Sequence, residues 1–281
     1  MHYGIAAPNF ESPGRLIDLA VAAERHGWDG FFLWDHVHRD GDPPPPLADT
    51  WITLGAAATQ TSRIQLGSWV TPVPRRRPHV LARQVVTVDH LSGGRVILGV
   101  GLGSQGAGAL GEFARFGENA DVRRRAVLLD EGLEAMVGLF SGKRFSFHGS
   151  LVNVEKALFL PRPVRGHLPV WVACEWPHRS PLRRAARYDG VVPIKIVDGE
   201  YGFMTPEDVD QLRRVIQSLR AQSPRDDRFE IAVLPGPRPR ASTADFEAAG
   251  ATWLLASSAG GVGWDDELEN LIRFGPTAMS K

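Results

Sequence analysis

The chain has 281 residues, with 32 basic and 32 acidic side chains and therefore a formal net charge of zero. This balance gives no indication of a nucleic-acid or anionic-membrane surface, and no apolar stretch reaches the roughly 18 residues of a membrane span. The single cysteine, Cys174, excludes an internal disulfide. With an amino terminus that lacks a secretion signal, it predicts a cytoplasmic protein.

Short apolar runs alternate with helical patterns along the first half of the chain. Ser12 is the predicted N-cap of the first helix, with Pro13 at its first position. Ser92-Gly93-Gly94 is the predicted stop of the third helix. The predicted strands are 3–7, 30–34, 64–70 and 96–100, and the predicted helices are about 13–26, 47–60, 78–90 and 121–140.

The second half begins with a segment, 142–168, in which apolar and polar residues alternate through 145–148 before a turn at Gly149. This pattern predicts a small inserted β-hairpin. Thr205, Pro206 and Asp208 form a short-acid variant of the capping box at a later helix start. The predicted strands are 169–174, 190–196, 229–234 and 252–256, and the predicted helices begin near 182, 205, 242 and 265.

Eight strands alternating with helices predict an α/β fold with a parallel sheet closed into a (β/α)8 TIM barrel. The length is close to the roughly 250 residues typical of this fold. We therefore predict a single domain over 1–281, with the hairpin inserted between the fourth helix and the fifth strand. Chemistry in such barrels lies at the carboxyl ends of the strands.

Asp35 and His36 directly follow the second predicted strand and are the candidate catalytic residues. An imidazole titrates near neutral pH, so His36 can give or take a proton, and the adjacent Asp35 could fix its tautomer. His38 and Asp40 are interpreted as solvated loop residues. The His-x-His pattern could instead bind a metal ion, but the later strands end with too few ligands, so we predict no metal site.

Gly101, Gly103 and Gly106 form a G-x-G-x-x-G pattern after the fourth strand. A dinucleotide-binding fold places this turn after its first strand, which disfavours a nicotinamide dehydrogenase. The pattern favours a loop whose backbone approaches a flat or phosphorylated ligand, and plain loop flexibility is the alternative.

A second candidate segment follows the fifth strand. Arg179 and Ser180, at a helix start, are suited to hold a phosphate group, and His178 joins them as a cofactor-binding candidate. Cys174 ends the strand and is also included by position, although without a His–Asp partner set it has the character of a small buried hydrophobe. The segment 257–261, S-S-A-G-G, after the eighth strand is a further phosphate candidate.

The arginine run at 75–77 has two interpretations of equal weight. It could hold an acidic ligand tail, or it could be a solvated run with local ion pairs.

Four stretches together resemble the luciferase-like, flavin-dependent oxidoreductases and their coenzyme F420-dependent relatives. They are 27–36, 63–72, 89–103 and 185–190. In order and spacing they cover most of residues 1–196, and the stretch D-H-L-S-G-G-R-V-I-L-G-V-G-L-G at 89–103 is the most specific.

The resemblance implies a TIM barrel that binds reduced FMN, or else coenzyme F420, at its carboxyl rim. With FMN and oxygen it would oxygenate a small organic substrate, and with F420 it would transfer hydride. Ser68 and Trp69 would back the cofactor ring, with a non-proline cis peptide between them. Gly101, Gly103 and Gly106 would flank the ring, and Arg179 and Ser180 would hold the phosphate. A homodimer and a partner flavin reductase are further implications.

One departure bears on the substrate. The F420-dependent sugar-phosphate dehydrogenases of this group close their G-V-G-x-G-E run with a glutamate, and Ser104 stands at that position here. This counts against sugar-phosphate oxidation and leaves FMN and F420 both open. A non-catalytic flavin-binding barrel is the alternative from another functional class.

Overall fold

A computed structural model of the chain describes residues 1–103, 112–198, 200–221, 228–236, 241–258 and 263–280. The strands are β1 His2–Ala7, β2 Gly30–Leu33, β3 Gln65–Ser68, β4 Thr71–Pro72, β5 Val96–Gly101, β6 Arg144–His148, β7 Asn153–Leu158, β8 Val170–Trp176, β9 Gly190–Val197, β10 Glu200–Gly202, β11 Glu230–Val233 and β12 Trp253–Ser257. Within the same ranges the α-helices are α1 Pro13–Arg25, α2 Thr50–Gln60, α3 Pro78–Ser92, α4 Val122–Phe140, α5 Arg179–Ala185, α6 Pro206–Arg220, α7 Thr243–Ala249 and α8 Trp264–Phe274.

The main sheet is a closed parallel barrel. Its strands follow the order β12, β1, β2, β3, β5, β8, β9 and β11, and β11 pairs again with β12. A helix follows each barrel strand, so the predicted (β/α)8 fold is confirmed. The short β4 continues the path of β3 and pairs with the end of β5.

The inside of the barrel is filled at its amino-terminal end by three large rings, which we call the aromatic plug: Phe32, Trp171 and Trp253. Their ring centroids lie 5.4 to 5.8 Å apart. Gly30 and Gly190 leave room for it, since a Cβ atom at either position would lie within 2.6 Å of a ring atom of Phe32 or Trp171.

Above the plug, four partly buried side chains pack on the inner cluster and form what we call the apolar floor: Trp69, Val70, Ala173 and Leu234. Because strand side chains alternate between the two faces of a sheet, these four point into the barrel mouth or border it. The barrel is therefore closed below and open toward the carboxyl ends of its strands.

Helix starts follow local capping chemistry. The predicted capping box of α6 is present, with the Thr205 hydroxyl accepting from the Asp208 N–H and the Asp208 carboxylate accepting from the Thr205 N–H. Helix α2 begins three residues later than predicted, because the Asp49 carboxylate accepts the Ile52 N–H at 2.9 Å and caps the helix there.

The predicted insertion is confirmed as the antiparallel pair β6–β7. Glu131 of α4 holds its turn, accepting the backbone N–H groups of Ser150, Leu151 and Val152 at 2.7 to 2.8 Å. Burial favours the neutral acid, but these hydrogen bonds outweigh it and lower the pKa of Glu131 to about 2.

A second hairpin, formed by the end of β9 and the short β10, was not predicted. Among the helices of the described ranges, none has both the length and the apolar composition that a bilayer crossing requires.

Candidate functional site

His36 lies just beyond the end of β2, at the carboxyl rim of the barrel. Its ring packs beside Phe10 and Trp34, with centroid distances of 5.2 and 5.8 Å. The side chain is 29% exposed, so one edge of the imidazole remains open.

The partner of His36 is Glu112, which is not among the site residues predicted from the sequence. Glu112 Oε2 lies 3.1 Å from His36 Nδ1, and Oε1 accepts the Val37 N–H at 2.8 Å. The carboxylate side chain is only 3% exposed. Burial alone would raise the pKa of Glu112, but the contacts with His36, Val37 and Arg75 outweigh it and lower that pKa.

An ionised Glu112 is an acceptor only, so His36 Nδ1 must be the nitrogen that carries the proton in the neutral ring. His36 Nε2 then has a lone pair and, among the described residues, no hydrogen-bond partner. The pair therefore presents a base at the barrel mouth whose conjugate acid Glu112 stabilises.

Asp35 does not orient His36, contrary to the expectation from their adjacency. Its buried carboxylate accepts from Arg76 Nη2 at 2.7 and 2.9 Å and from Arg75 Nη2 at 3.3 Å. The physical reason is that neighbouring side chains of an extended segment point in opposite directions, so the carboxylate turns away from the imidazole. Asp35 supports the loop rather than the histidine ring.

The arginine run at 75–77 combines parts of its two interpretations. Local ion pairs are present, but the side chains of Arg75 and Arg76 form them with Asp35 in a largely buried position rather than in solvent. Arg77 is exposed. Arg75 Nη1 lies 3.5 Å from Glu112 Oε1, so this guanidinium connects the two carboxylates. Burial lowers the pKa of Arg75, and the charges of Asp35 and Glu112 oppose that effect.

The other histidine of the loop forms a surface pair, with His38 Nε2 3.1 Å from Asp40 Oδ1. Across the described ranges, no three His, Cys, Asp or Glu side chains come together as a metal-binding group.

The end of β3 carries the predicted ring-backing residues. The Ser68 hydroxyl donates to the Gly99 carbonyl at 2.7 Å, and the Trp69 N–H donates to the Leu33 carbonyl at 2.7 Å. The non-proline cis peptide lies between Trp69 and Val70, one bond later than predicted. The parallel hydrogen bonding between β2 and β3 continues as far as the Trp69 N–H. The cis peptide bond therefore follows Trp69, where this hydrogen bonding ends.

The glycine turn lies beside these residues. A Cβ atom on Gly101 would be 2.9 Å from Val70 and 3.3 Å from Ala173, and Gly103 has a φ of +83° that favours glycine. Gly106 lies outside the described residues. The Leu102 carbonyl accepts a hydrogen bond from Arg125 Nη1 at 3.2 Å, which connects the turn to α4.

The segment after β8 separates into two groups. Cys174 is buried on the helix-facing side of the strand, its Sγ is 3.1 Å from the Pro181 carbonyl, and burial raises its pKa to about 12. The Cys174 side chain faces away from the mouth because Ala173 and Glu175 occupy the inward positions. Cys174 therefore packs in the hydrophobic core between strand and helices and does not line the mouth.

Arg179 and Ser180 are exposed in the first turn of α5, which begins three residues earlier than predicted. His178 Nε2 lies 3.4 Å from Glu175 Oε1. A phosphate role for this segment stays a prediction.

The parallel strands bring these groups to one end of the molecule. His36, the turn at 101–103 and the start of α5 all follow carboxyl ends of barrel strands. Glu112 was not found from sequence because its link to His36 spans 76 positions. A signal was present nonetheless, since Glu112 is the only acidic residue of the glycine-rich loop, 101–117.

The described mouth fits a planar, mostly apolar ring system. The apolar floor offers a surface for the face of a ring, and Gly101 removes side-chain bulk beside it. Just after β12, the buried hydroxyl of Ser258 has no hydrogen-bond partner among the described residues.

A family model described as luciferase-like monooxygenase matches residues 1–249. An uncharacterized protein of Mycobacterium tuberculosis is 31% identical over 254 residues, which cover 83% of each chain. The F420-dependent glucose-6-phosphate dehydrogenase of Kineococcus radiotolerans is 37% identical over 180 residues, or 62% of this chain and 50% of that one. This chain thus matches half the length of that dehydrogenase.

A similar solved structure is the coenzyme F420 dependent tetrahydromethanopterin reductase from Methanopyrus kandleri. It has a TM-score of 0.75 and 17% identity, and the match covers 99% of both chains. At this identity the likeness shows the fold. The match of the family model to most of the chain shows more: this protein belongs to the luciferase-like monooxygenase family.

Proposed function

We propose that this protein is an oxidoreductase that binds coenzyme F420 at the barrel mouth and transfers hydride between it and a small organic alcohol or carbonyl compound. The observation that carries the proposal is the Glu112–His36 pair, which leaves His36 Nε2 available for a proton. Oxidation of an alcohol to a carbonyl releases a hydroxyl proton together with the hydride, and in this proposal His36 Nε2 accepts that proton.

When bound, the cofactor ring supplies the position that takes up or returns the hydride and its electron pair. The apolar floor would hold the face of the ring, with Gly101 and Gly103 beside it. Arg179 and Ser180 would hold the phosphate. His36 Nε2 takes the proton from the substrate hydroxyl, and Glu112 stabilises the positive charge that the imidazole then carries.

The choice of F420 over FMN is supported by the similar dehydrogenase of Kineococcus radiotolerans, which is F420-dependent by name. A proton-transfer pair is also what a hydride transfer to or from oxygenated carbon requires. Monooxygenation with reduced FMN and oxygen is the second candidate, favoured by the description of the family model. It would require a source of reduced FMN, such as a partner flavin reductase.

Difference titration of the purified protein with F420 and with FMN tests the cofactor. We expect visible-absorption changes that saturate with F420 at a concentration at least tenfold lower than with FMN. Saturation by FMN alone would support the monooxygenase, and saturation by neither would refute both candidates.

His36→Ala then tests catalysis. We expect the variant to keep its F420 affinity and to lose about 10²–10⁴ in turnover. The matched control is His148→Ala on the inserted hairpin, an exposed histidine away from the mouth. A variant that binds F420 and turns over as fast as the parent would indicate a different proton-transfer group, and a parent with cofactor but no turnover would indicate a non-catalytic binder.

A further inference from the structure

The β9–β10 hairpin extends beyond the barrel rim. The pairing of β8 with β9 ends at Trp176 opposite Lys195, whereas β9 continues to Val197 and returns as β10. In the return, Tyr201 lies directly opposite Ile196. The side chains of this hairpin therefore extend past the end of β8 at the mouth of the barrel.

The inner face of this hairpin is apolar. Val192 belongs to the inner cluster of the barrel, so Ile194 and Ile196 share its inward direction, and Tyr201 shares the face of Ile196. The basic residue of the hairpin is on the other face, where Lys195 Nζ forms an ion pair with Asp208 at 2.6 Å.

Two neighbouring residues continue this apolar surface. Phe203 packs over Gly236, whose Cβ position lies 2.8 Å from the Phe203 ring, and Leu234 packs on the plug. Tyr201 is 67% exposed and Phe203 is 51% exposed. We call the set the rim wall, and its residues are Ile194, Ile196, Tyr201, Phe203 and Leu234.

The topology places the rim wall opposite His36. In the closed strand order, β2 and β9 are separated by three strands on either side. A ligand at the mouth therefore has His36 on one side and the rim wall on the other. Exposed aromatic side chains that continue a binding mouth indicate a surface that a ligand covers.

We propose that the rim wall binds the hydrocarbon body of the substrate, and that the substrates are alcohols or carbonyl compounds with an extended alkyl or aromatic group. This rests on the proposed function, because it places the reacting oxygen at His36. The described wall has no basic side chain, and its neighbour Glu175, opposite Ile194 on β8, is acidic. The wall therefore gives no counterion to a sugar phosphate, in agreement with Ser104 in the sequence.

The test is equilibrium binding of a series of 2-alkanones, from acetone to 2-nonanone, to the F420-loaded protein, followed by tryptophan fluorescence. Burial of each added CH2 should tighten binding about fourfold while the chain lies on the wall. Tyr201→Ser should weaken binding of the longest ketone about tenfold and leave acetone unchanged. Glucose 6-phosphate should not compete.

The matched control is Phe274→Ser, because Phe274 is 74% exposed at the end of α8 and lies away from the mouth. Affinities that do not change with chain length, or equal losses in both variants, would overturn the assignment of the rim wall. If the parent bound neither F420 nor FMN, the proposed function would fail instead, and binding of the ketone series to the unloaded protein would still report on the wall.

Discussion

The two carboxylates near His36 have separate tasks. Asp35 is held by two buried arginines, whereas Glu112 contacts the imidazole itself. Arg75 contacts both carboxylates, and its positive charge partly offsets their negative charge near His36. Glu112 is the carboxylate that contacts the imidazole, whereas Asp35 supports the loop, so mutation of each residue should affect a different property.

Glu112→Gln should lower turnover about 10- to 100-fold, because the amide cannot stabilise the charged imidazole. Stopped-flow assays at a fixed pH measure this loss. Glu112→Asp should recover part of the rate, and Glu267→Gln, an exposed change on α8, should match the parent. Turnover in Glu112→Gln equal to that of the parent would argue against the pair.

Asp35→Asn should destabilise the fold by about 3–5 kcal/mol, because it removes the buried carboxylate that pairs with Arg76 and leaves Arg75 with Glu112 as its remaining carboxylate contact. Urea unfolding followed by circular dichroism measures the free energy of unfolding. A loss below about 1 kcal/mol, the range of an exposed ion pair, would contradict the role given to Asp35.

At the scale of elements, the inserted hairpin depends on one carboxylate from the preceding helix. Glu131 receives three backbone N–H groups of the turn between β6 and β7. Its pKa falls from 4.5 to about 2 in the folded protein. The stabilisation is thus complete above the ordinary value and disappears as pH falls toward the folded value.

Glu131→Gln should therefore flatten the dependence of unfolding free energy on pH between 4.5 and about 2. It should also speed protease cleavage within 142–168 at neutral pH. Urea titrations at several acidic pH values and limited proteolysis measure these changes. Glu155→Gln, an exposed carboxylate of the same hairpin, is the control, and equal pH slopes for the parent and Glu131→Gln would contradict this account.

Local chemistry made most elements predictable, as the cap at Thr205 and the stop at Gly93 show. The β9–β10 hairpin was missed because its strand of three residues has no periodic signal of its own. The cis bond was misplaced by one position because its site depends on where the β3 ladder ends, which is a property of the neighbouring strand.

At the scale of the whole molecule, the aromatic plug connects opposite sides of the barrel. Trp171→Ala should lower the free energy of unfolding by about 3–5 kcal/mol, because the rings around it cannot close the cavity. Phe274→Ala removes an exposed ring and should stay within about 0.5 kcal/mol. Thermal and urea unfolding compare the two, and similar losses in both variants would show that the plug is dispensable.

The fold was predictable because eight strand–helix alternations permit few arrangements. The location of His36 at the rim followed from that fold. Its partner did not follow, since the sequence offers one acid next to His36, Asp35, and one in the glycine-rich loop, Glu112, without showing which of them reaches the imidazole. Only the packed chain settles this, by turning one carboxylate toward Arg76 and the other toward His36.

Because the aromatic plug closes the amino-terminal end of the described barrel, a ligand can enter its interior from the carboxyl ends of the strands alone. For a reaction of two ligands, the molecule that rests on Trp69 and Ala173 is covered by whatever docks after it. In the proposed reaction, the ring system would therefore bind first and leave last, and the smaller reactant would exchange above it.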